Sequence, residues 1–382
     1  MSLILILDLG STSIGATLGP LDTKASPGTC LTPLATTRLP LSPNAKASPE
    51  QFKHEVSQIL EEVMQTVLGS IKPVEVFCFL SSIYYVGVPR TIKLQEDKPF
   101  AFTPKLIKKL VDEEVTVVKE EFTGRGWTPW LMEVLEREVV HLTANAYPLT
   151  EARGEIVNSA TINTFIAGAD QDLLEIIRQV ICRRLNTIPL NIRSFASASF
   201  VVMRDLLPQT PSFVMVDISG ATTDVLVVSQ GALAGIGSFP YGYQNIIKQL
   251  ADTAQSIPVD IETKLMLLTK DNVPPTLRSL ITNTELALNN WRLELEKTSH
   301  DILGNLFLPD EIVLIGENDL TRLFARTLKR LPLTALTLSS RAPVVYEVGD
   351  RLISQLCQGV PVPGDSFLLL ETLFCHKMKS LT

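Results

Sequence analysis

Two short stretches of this sequence hold the residue types that handle phosphate. Asp8-Leu9-Gly10-Ser11-Thr12-Ser13 follows the apolar run at residues 3–7, and Asp217-Ile218-Ser219-Gly220-Ala221-Thr222-Thr223-Asp224 follows the one at 213–216. In each, a carboxylate stands where an apolar run gives way to small and hydroxyl-bearing residues. Such a turn lets backbone N–H groups and hydroxyls come close to an anion, and a carboxylate is the ligand type that holds Mg²⁺ through its waters. Either stretch alone has the composition of an ordinary hairpin turn. Together, each between two β-rich runs, they predict a pair of facing phosphate loops and two related half-domains.

The elements that must position these loops are legible from periodicity. Residues 3–7 and 14–18 are β-rich runs flanking the first loop, so the chain opens with a hairpin. Arg38-Leu39-Pro40-Leu41, inside a Pro/Ser/Thr-rich stretch, reads as a third, edge-like strand. Ser48-Pro49-Glu50-Gln51 combines an N-cap, a proline at the first helical position and a glutamine placed to close a capping box. Behind it Phe52, Val56, Ile59, Leu60, Val63, Met64 and Val67 recur at helical spacing. Further strands are expected at 74–80, 139–144, 156–166, 225–228 and 311–315. Helices are expected at 104–122, at 173–185 behind the cap Asp170, at 277–295 and at 320–331, with the small-residue stretch 195–200 leading into another. The apolar segment 367–378 reads as a closing helix of the first half, and alternatively as a membrane-surface helix, since Lys377 and Lys379 lie close to its apolar residues. Trp127 and Trp130 sit in a Gly/Pro-containing loop, either as docking anchors or as a seal on their own subdomain.

Composition narrows the classes. The 382 residues carry 34 basic and 41 acidic side chains, a net charge of −7, and 45% are apolar. That is material for two or three cored domains, and the acidic balance argues against a nucleic-acid binder. No run approaches the ~18 apolar residues of a membrane span, and the first apolar run lacks a basic leader, so no secretory signal is expected. Cysteines 30, 78, 182, 357 and 375 are dispersed and form no CxxC pair, which suits a reducing compartment and neither zinc nor a disulfide framework. The four histidines show no ligand spacing, and no Ser-His-Asp or Cys-His arrangement is evident.

With those residues in view, Asp8 to Gly15 and Val216 to Asp224 resemble the two phosphate motifs of the actin-like ATPase superfamily, within it the FtsA/PilM branch of bacterial cell-division and type IV pilus assembly proteins. Ser194-Phe-Ala-Ser-Ala-Ser199 is similar to the segment upstream of the second motif in that branch. Ile312-Val-Leu-Ile-Gly316 takes the place of the adenosine motif, and Asp260-Ile-Glu262-Thr-Lys264 that of the segment touching base and ribose. The resemblance covers nearly the whole chain. It implies an α/β, actin-like fold (ribonuclease H-like, duplicated) with two lobes and a small inserted α+β subdomain. Residues 1–82, 168–211 and 336–382 would form the first lobe, 83–167 the insertion and 212–335 the second lobe.

The implied cofactors are ATP and Mg²⁺. Asp8, Gly10, Ser11, Thr12 and Ser13 would form one phosphate loop and Asp217, Gly220, Ala221, Thr222 and Thr223 the other. Glu262, Lys264 and Gly316 would border the adenosine pocket, and Asp8 and Asp217 would hold Mg²⁺ through water. The implied role is a cytoplasmic platform, peripheral at the inner face of a membrane, for a membrane-associated machine of cell division or pilus assembly. A protein partner would dock on the inserted subdomain, with self-assembly and no nucleic acid. Only a short stretch follows Lys264 where FtsA has a full subdomain, which is more like PilM.

The pattern also departs from the family's. No lysine occurs in the first loop, Glu317 follows Gly316 in place of a second glycine, and Gly242-Tyr243-Gln244 replaces a Gly-Gly-Asp segment. No Glu, Asp or Gln at 195–200 can orient an attacking water, so at most slow ATP turnover is expected. A scaffold without nucleotide and, from another class, a small-molecule kinase stay open beside the nucleotide-binding platform.

Overall fold

Two five-stranded sheets carry the fold, and the second repeats the first. The computed structural model describes residues 2–21, 33–42, 48–124, 132–270, 275–304, 307–316, 319–330, 336–337, 339, 341–348 and 365–380. In the first sheet β1 (Ser2–Leu9), β2 (Ser13–Leu21) and β3 (Ala35–Pro40) form an antiparallel meander, and β4 (Glu75–Leu80) and a later strand, β9 (Leu190–Ser194), add in parallel on the other side of β1. The second sheet has the same order. β10 (Phe213–Ile218), β11 (Thr223–Ser229) and β12 (Ala232–Phe239) make the meander, with β13 (Glu311–Gly316) and β14 (Val344–Glu347) parallel beyond β10. The central strands β1 and β10 are continuous apolar runs because helices cover both of their faces.

On the first sheet pack α1 (Pro49–Leu68), α3 (Gln171–Leu185), α4 (Phe195–Leu206) and the C-terminal α9 (Ser366–Ser380). Ser48 caps α1 by accepting from Gln51 N at 3.2 Å, and Asp170 caps α3 by accepting from Leu173 N at 2.9 Å, as the sequence predicts. The second sheet is covered by α5 (Tyr243–Ala254), α6 (Pro258–Leu268), the long α7 (Arg278–Leu303) and α8 (Thr321–Arg330). Between β4 and α3 the chain builds a four-stranded sheet of order β5-β8-β6-β7, from β5 (Tyr85–Phe102), β6 (Met132–Ala144), β7 (Tyr147–Leu149) and β8 (Glu155–Asp170), with α2 (Pro104–Gly124) across it. This insertion also packs against β12 of the second sheet, so it braces both lobes.

Two expectations need correction. Residues 344–347, assigned to the first lobe, pair with β13 of the second sheet, and α9 packs on the first lobe. A strand that short carries no lobe-specific pattern. The stretch 195–200 is not a lead-in but the opening of α4 itself, because Ser194 accepts from Ser197 N at 3.2 Å and starts the helix there. In the insertion, β5 runs for 18 residues along β8, with the apolar residues Val86, Val88, Ile92 and Leu94 at alternate positions packed on the insertion's core. Trp127, Trp130 and Glu317 lie outside the described residues. The apolar face of α9, including Leu369, Leu370, Leu373 and Phe374, is buried against the first lobe. No described helix is long and apolar enough to cross a membrane.

Candidate functional site

Both predicted loops join the two strands of a hairpin, and the tips meet. Ser11 Oγ lies 2.8 Å from Ser219 Oγ and accepts from Ala221 N at 3.0 Å. Gly220 approaches so closely that a Cβ there would stand 1.9 Å from Thr12 Oγ1. Around this seam Ser82 Oγ donates to Asp224 Oδ1 at 2.6 Å, and Tyr84 Oη donates to Gly10 O at 3.1 Å. The void left between the tips, lined by Asp8, Ser81, Phe195, Asp217 and Phe367 among others, is about 10 Å³. That is room for one water.

The second loop spends its polar groups on itself. Ser219 N donates to Thr222 O at 3.0 Å, and the two hydroxyls lie 3.1 Å apart. Thr223 Oγ1 donates to Tyr241 O at 2.8 Å and accepts from the buried Trp291 Nε1 at 3.0 Å. Tyr243 N and Gln244 N, which open α5, donate to Ser219 O and Gly220 O at 3.2 and 2.9 Å. Those helix-terminal N–H groups would otherwise suit an anion. Gly242 is needed here, since a Cβ would lie 2.2 Å from Ser219 O.

The sheets place Asp8 and Asp217 at equivalent points, and the rows across them differ. In the first sheet the row reads Phe79, Asp8, Gly15, Arg38; in the second it reads Ile315, Asp217, Asp224, Ser238. Because Gly15 lacks a side chain, the Arg38 guanidinium folds over it; a Cβ on Gly15 would lie 2.6 Å from Nη2. Arg38 thereby donates to Asp8 Oδ2 at 2.5 Å, Ser13 Oγ at 2.9 Å and Asp365 Oδ2 at 2.6 Å. Burial pushes the Asp8 carboxyl above its ordinary value, opposed by Arg38. Glu371, wholly buried on α9, is pushed well above the usual carboxylate range by burial and then by the Asp8 charge.

The structure brings Ser11 and Thr12 against Ser219, Gly220 and Ala221 and sets Asp8, Gly10 and Asp217 around the void, whereas Ser13 bonds Arg38 and Thr223 bonds Tyr241 and Trp291. Gly316 ends β13 beside Ile218, and a Cβ there would stand 2.2 Å from Thr321 Oγ1. Glu262 and Lys264 lie half-buried on α6 and do not line the void at the tips. With the tips touching and Asp8 paired to Arg38, the residues present do not fit ATP with Mg²⁺ between the loops. Sequence reasoning missed Arg38, Asp365 and Glu371. Arg38 stood in the segment read as a third strand, but its reach to Asp8 depends on the three-strand register.

A second concave feature, a groove of about 920 Å³, runs between the inserted subdomain and the first lobe. Val111, Leu142 and Leu149 supply apolar floor, and Lys108, Arg137, Arg204 and Lys377 outnumber the lining carboxylates Asp112 and Glu151.

No family model and no curated protein matches this sequence. Among solved structures, a chain of the PilM–PilN type IV pilus biogenesis complex matches at 14% identity and a TM-score of 0.65, over 99% of this chain and 98% of that one. The ethanolamine utilization protein EutJ from Carboxydothermus hydrogenoformans matches at 11% identity and a TM-score of 0.45, over 98% and 90%. A Bacteroides thetaiotaomicron protein with actin-like ATPase fold matches at 10% and 0.42, over 93% and 95%; likenesses that distant carry no argument about function. Nearly the whole of both chains aligns in the first of these matches, and the chain accordingly has the actin-like ATPase fold, with PilM among its structural neighbours.

Proposed function

We propose that this protein is an assembly platform that takes a peptide segment of a membrane-associated protein partner in the groove between its inserted subdomain and first lobe. The groove carries the reading: an apolar floor under a rim with more cations than carboxylates suits a short segment that alternates apolar and acidic side chains. The fold shared with a chain of the PilM–PilN complex supports it. On this reading the protein acts in the cytoplasm at the inner face of a membrane, in a pilus-assembly or division machine. The contact between hairpin tips favours a platform that works without nucleotide over one switched by ATP.

Peptides tiled across the cytoplasmic segments of single-span membrane proteins from the same organism, assayed by fluorescence polarisation, test this. Val139 and Arg137 line the groove and are exposed by 38% and 58%, so Val139→Glu and Arg137→Glu should spare the fold. A bound acidic–apolar peptide should lose about tenfold in affinity, ~1.4 kcal/mol, with each variant. Peptide binding unchanged by both would refute the groove. ATP turnover stimulated by a sugar or carboxylate would favour the small-molecule kinase instead.

A further inference from the structure

The cleft holds two carboxyl groups on one guanidinium. Arg38 bonds Asp8 on β1 and Asp365 just before α9. Asp365 also caps α9, accepting from Phe367 N and Leu368 N at 3.1 Å. The guanidinium therefore ties the first hairpin to the C-terminal helix. Phe367 closes the other side, its ring centroid 5.9 Å from Arg38 Cζ. The second lobe has no counterpart, because Ser238 occupies the row position of Arg38 and Asp224 that of Gly15.

An aspartate at the end of a central strand, facing a second such aspartate across a cleft, is placed to hold a hydrated divalent cation against a phosphate. Here that carboxylate already has a fixed cation in hydrogen-bond contact. Arg38 is 18% exposed and Asp8 3%, so the pair is little screened by solvent. A metal would have to displace a guanidinium held at three oxygens, and a polyphosphate would have to break the Ser11 and Ser219 seam as well.

We propose that Arg38 is the resident counter-ion of this cleft, standing where a divalent cation would stand, and that the two hairpins form a permanent joint between the lobes. Removing the guanidinium leaves the Asp8 and Asp365 carboxylates that it bridges facing each other without it, so that a divalent cation can take its place. The proposal does not rest on the peptide groove, and the two can fail separately.

The test combines thermal unfolding with Mn²⁺ binding followed by water-proton relaxation, on wild type, Arg38→Met, and Arg38→Met combined with Asp8→Asn. Wild type should neither bind Mn²⁺ nor shift its midpoint with Mg²⁺ or Mg-ATP. Arg38→Met should unfold at lower temperature, bind Mn²⁺ and regain at least half of the lost midpoint with it. The double variant should lose both the binding and the recovery. Calorimetry of Mg-ATP against wild type and Asp8→Asn needs no Arg38 variant, so it decides even if Arg38→Met does not fold. Binding by wild type that Asp8→Asn abolishes overturns the proposal, and so does a folded Arg38→Met protein as stable as wild type and indifferent to Mn²⁺.

Discussion

The contact between hairpin tips is most directly tested by adding one methyl group. A Cβ on Gly220 would stand 1.9 Å from Thr12 Oγ1, 2.7 Å from its Cγ2 and 2.8 Å from its Cβ. Comfortable separations between such atoms are about 3.5–4.0 Å. Gly220 is not among the glycines with positive φ, so Gly220→Ala tests crowding and not backbone strain. Thr12 cannot readily turn aside: it is β-branched, 7% exposed, and its carbonyl accepts from Leu41 N at 2.8 Å. Overpacking of this kind costs ~1–3 kcal/mol. Thr12→Gly removes all three obstructing atoms, at a cost of about 1 kcal/mol in chain entropy. It forfeits no side-chain hydrogen bond, since Thr12 Oγ1 has no partner among the described residues. In the double variant the new methyl occupies the vacated space, so the combined loss should fall short of the sum of the single losses by about 1–2 kcal/mol. Urea denaturation of the four proteins, read as midpoint times slope, measures this coupling. If Gly220→Ala lies within ~0.5 kcal/mol of wild type, or the coupling is zero, the tips stand apart in solution and the cleft is open to ligand.

Two other sites give sharp expectations. Glu136 on β6 is buried and accepts from Ser194 N at 3.0 Å and Ser194 Oγ at 2.6 Å, tying the insertion to the start of α4. Burial pushes its carboxyl up from 4.5 to about 7, against those hydrogen bonds. Between these values the folded protein keeps a proton that the unfolded chain has released, so this group makes stability fall by up to about 3 kcal/mol as pH rises from 4.5 to 7. Glu136→Gln can still accept from Ser194 N and donate to its Oγ; urea midpoints across that range should show a flatter slope and a variant more stable than wild type at pH above 7. An unchanged slope would show that Glu136 is ionised throughout. Trp291 is fully buried, donates to Thr223 Oγ1 at 3.0 Å and meets the Phe324 ring edge-on at 4.7 Å. Trp291→Phe should cost about 2–3 kcal/mol through the lost hydrogen bond and the void, and a loss below ~0.5 kcal/mol in urea denaturation would mean that the second hairpin is not anchored through Thr223.

Local chemistry made much of this molecule legible in its sequence. Apolar runs ending in Asp8 and Asp217 mark two central strands, because a strand covered on both faces must be apolar until it reaches the surface. The caps Ser48 and Asp170 and the spacing behind them mark α1 and α3 through interactions within one turn. The repetition of the hairpin forecast the duplicated sheet and, through the family resemblance, the actin-like fold. The small strand β14 was not legible, since pairing with a distant neighbour stabilises it and not its own pattern.

What the cleft can hold was decided only by the tertiary structure. From the sequence, the hydroxyls of Ser11, Thr12, Ser219, Thr222 and Thr223 are equally good phosphate ligands or partners for one another, and the choice depends on how far apart the lobes stand. Here Ser11 and Ser219 bond each other across the cleft. The missing lysine of the first loop suggested a phosphate site without a cation, yet a cation arrives from the neighbouring strand, because register sets Arg38 beside Gly15 and Gly15 beside Asp8. Residue types name the chemistry available to a loop, whereas distance and register determine which groups are already spoken for before any ligand arrives.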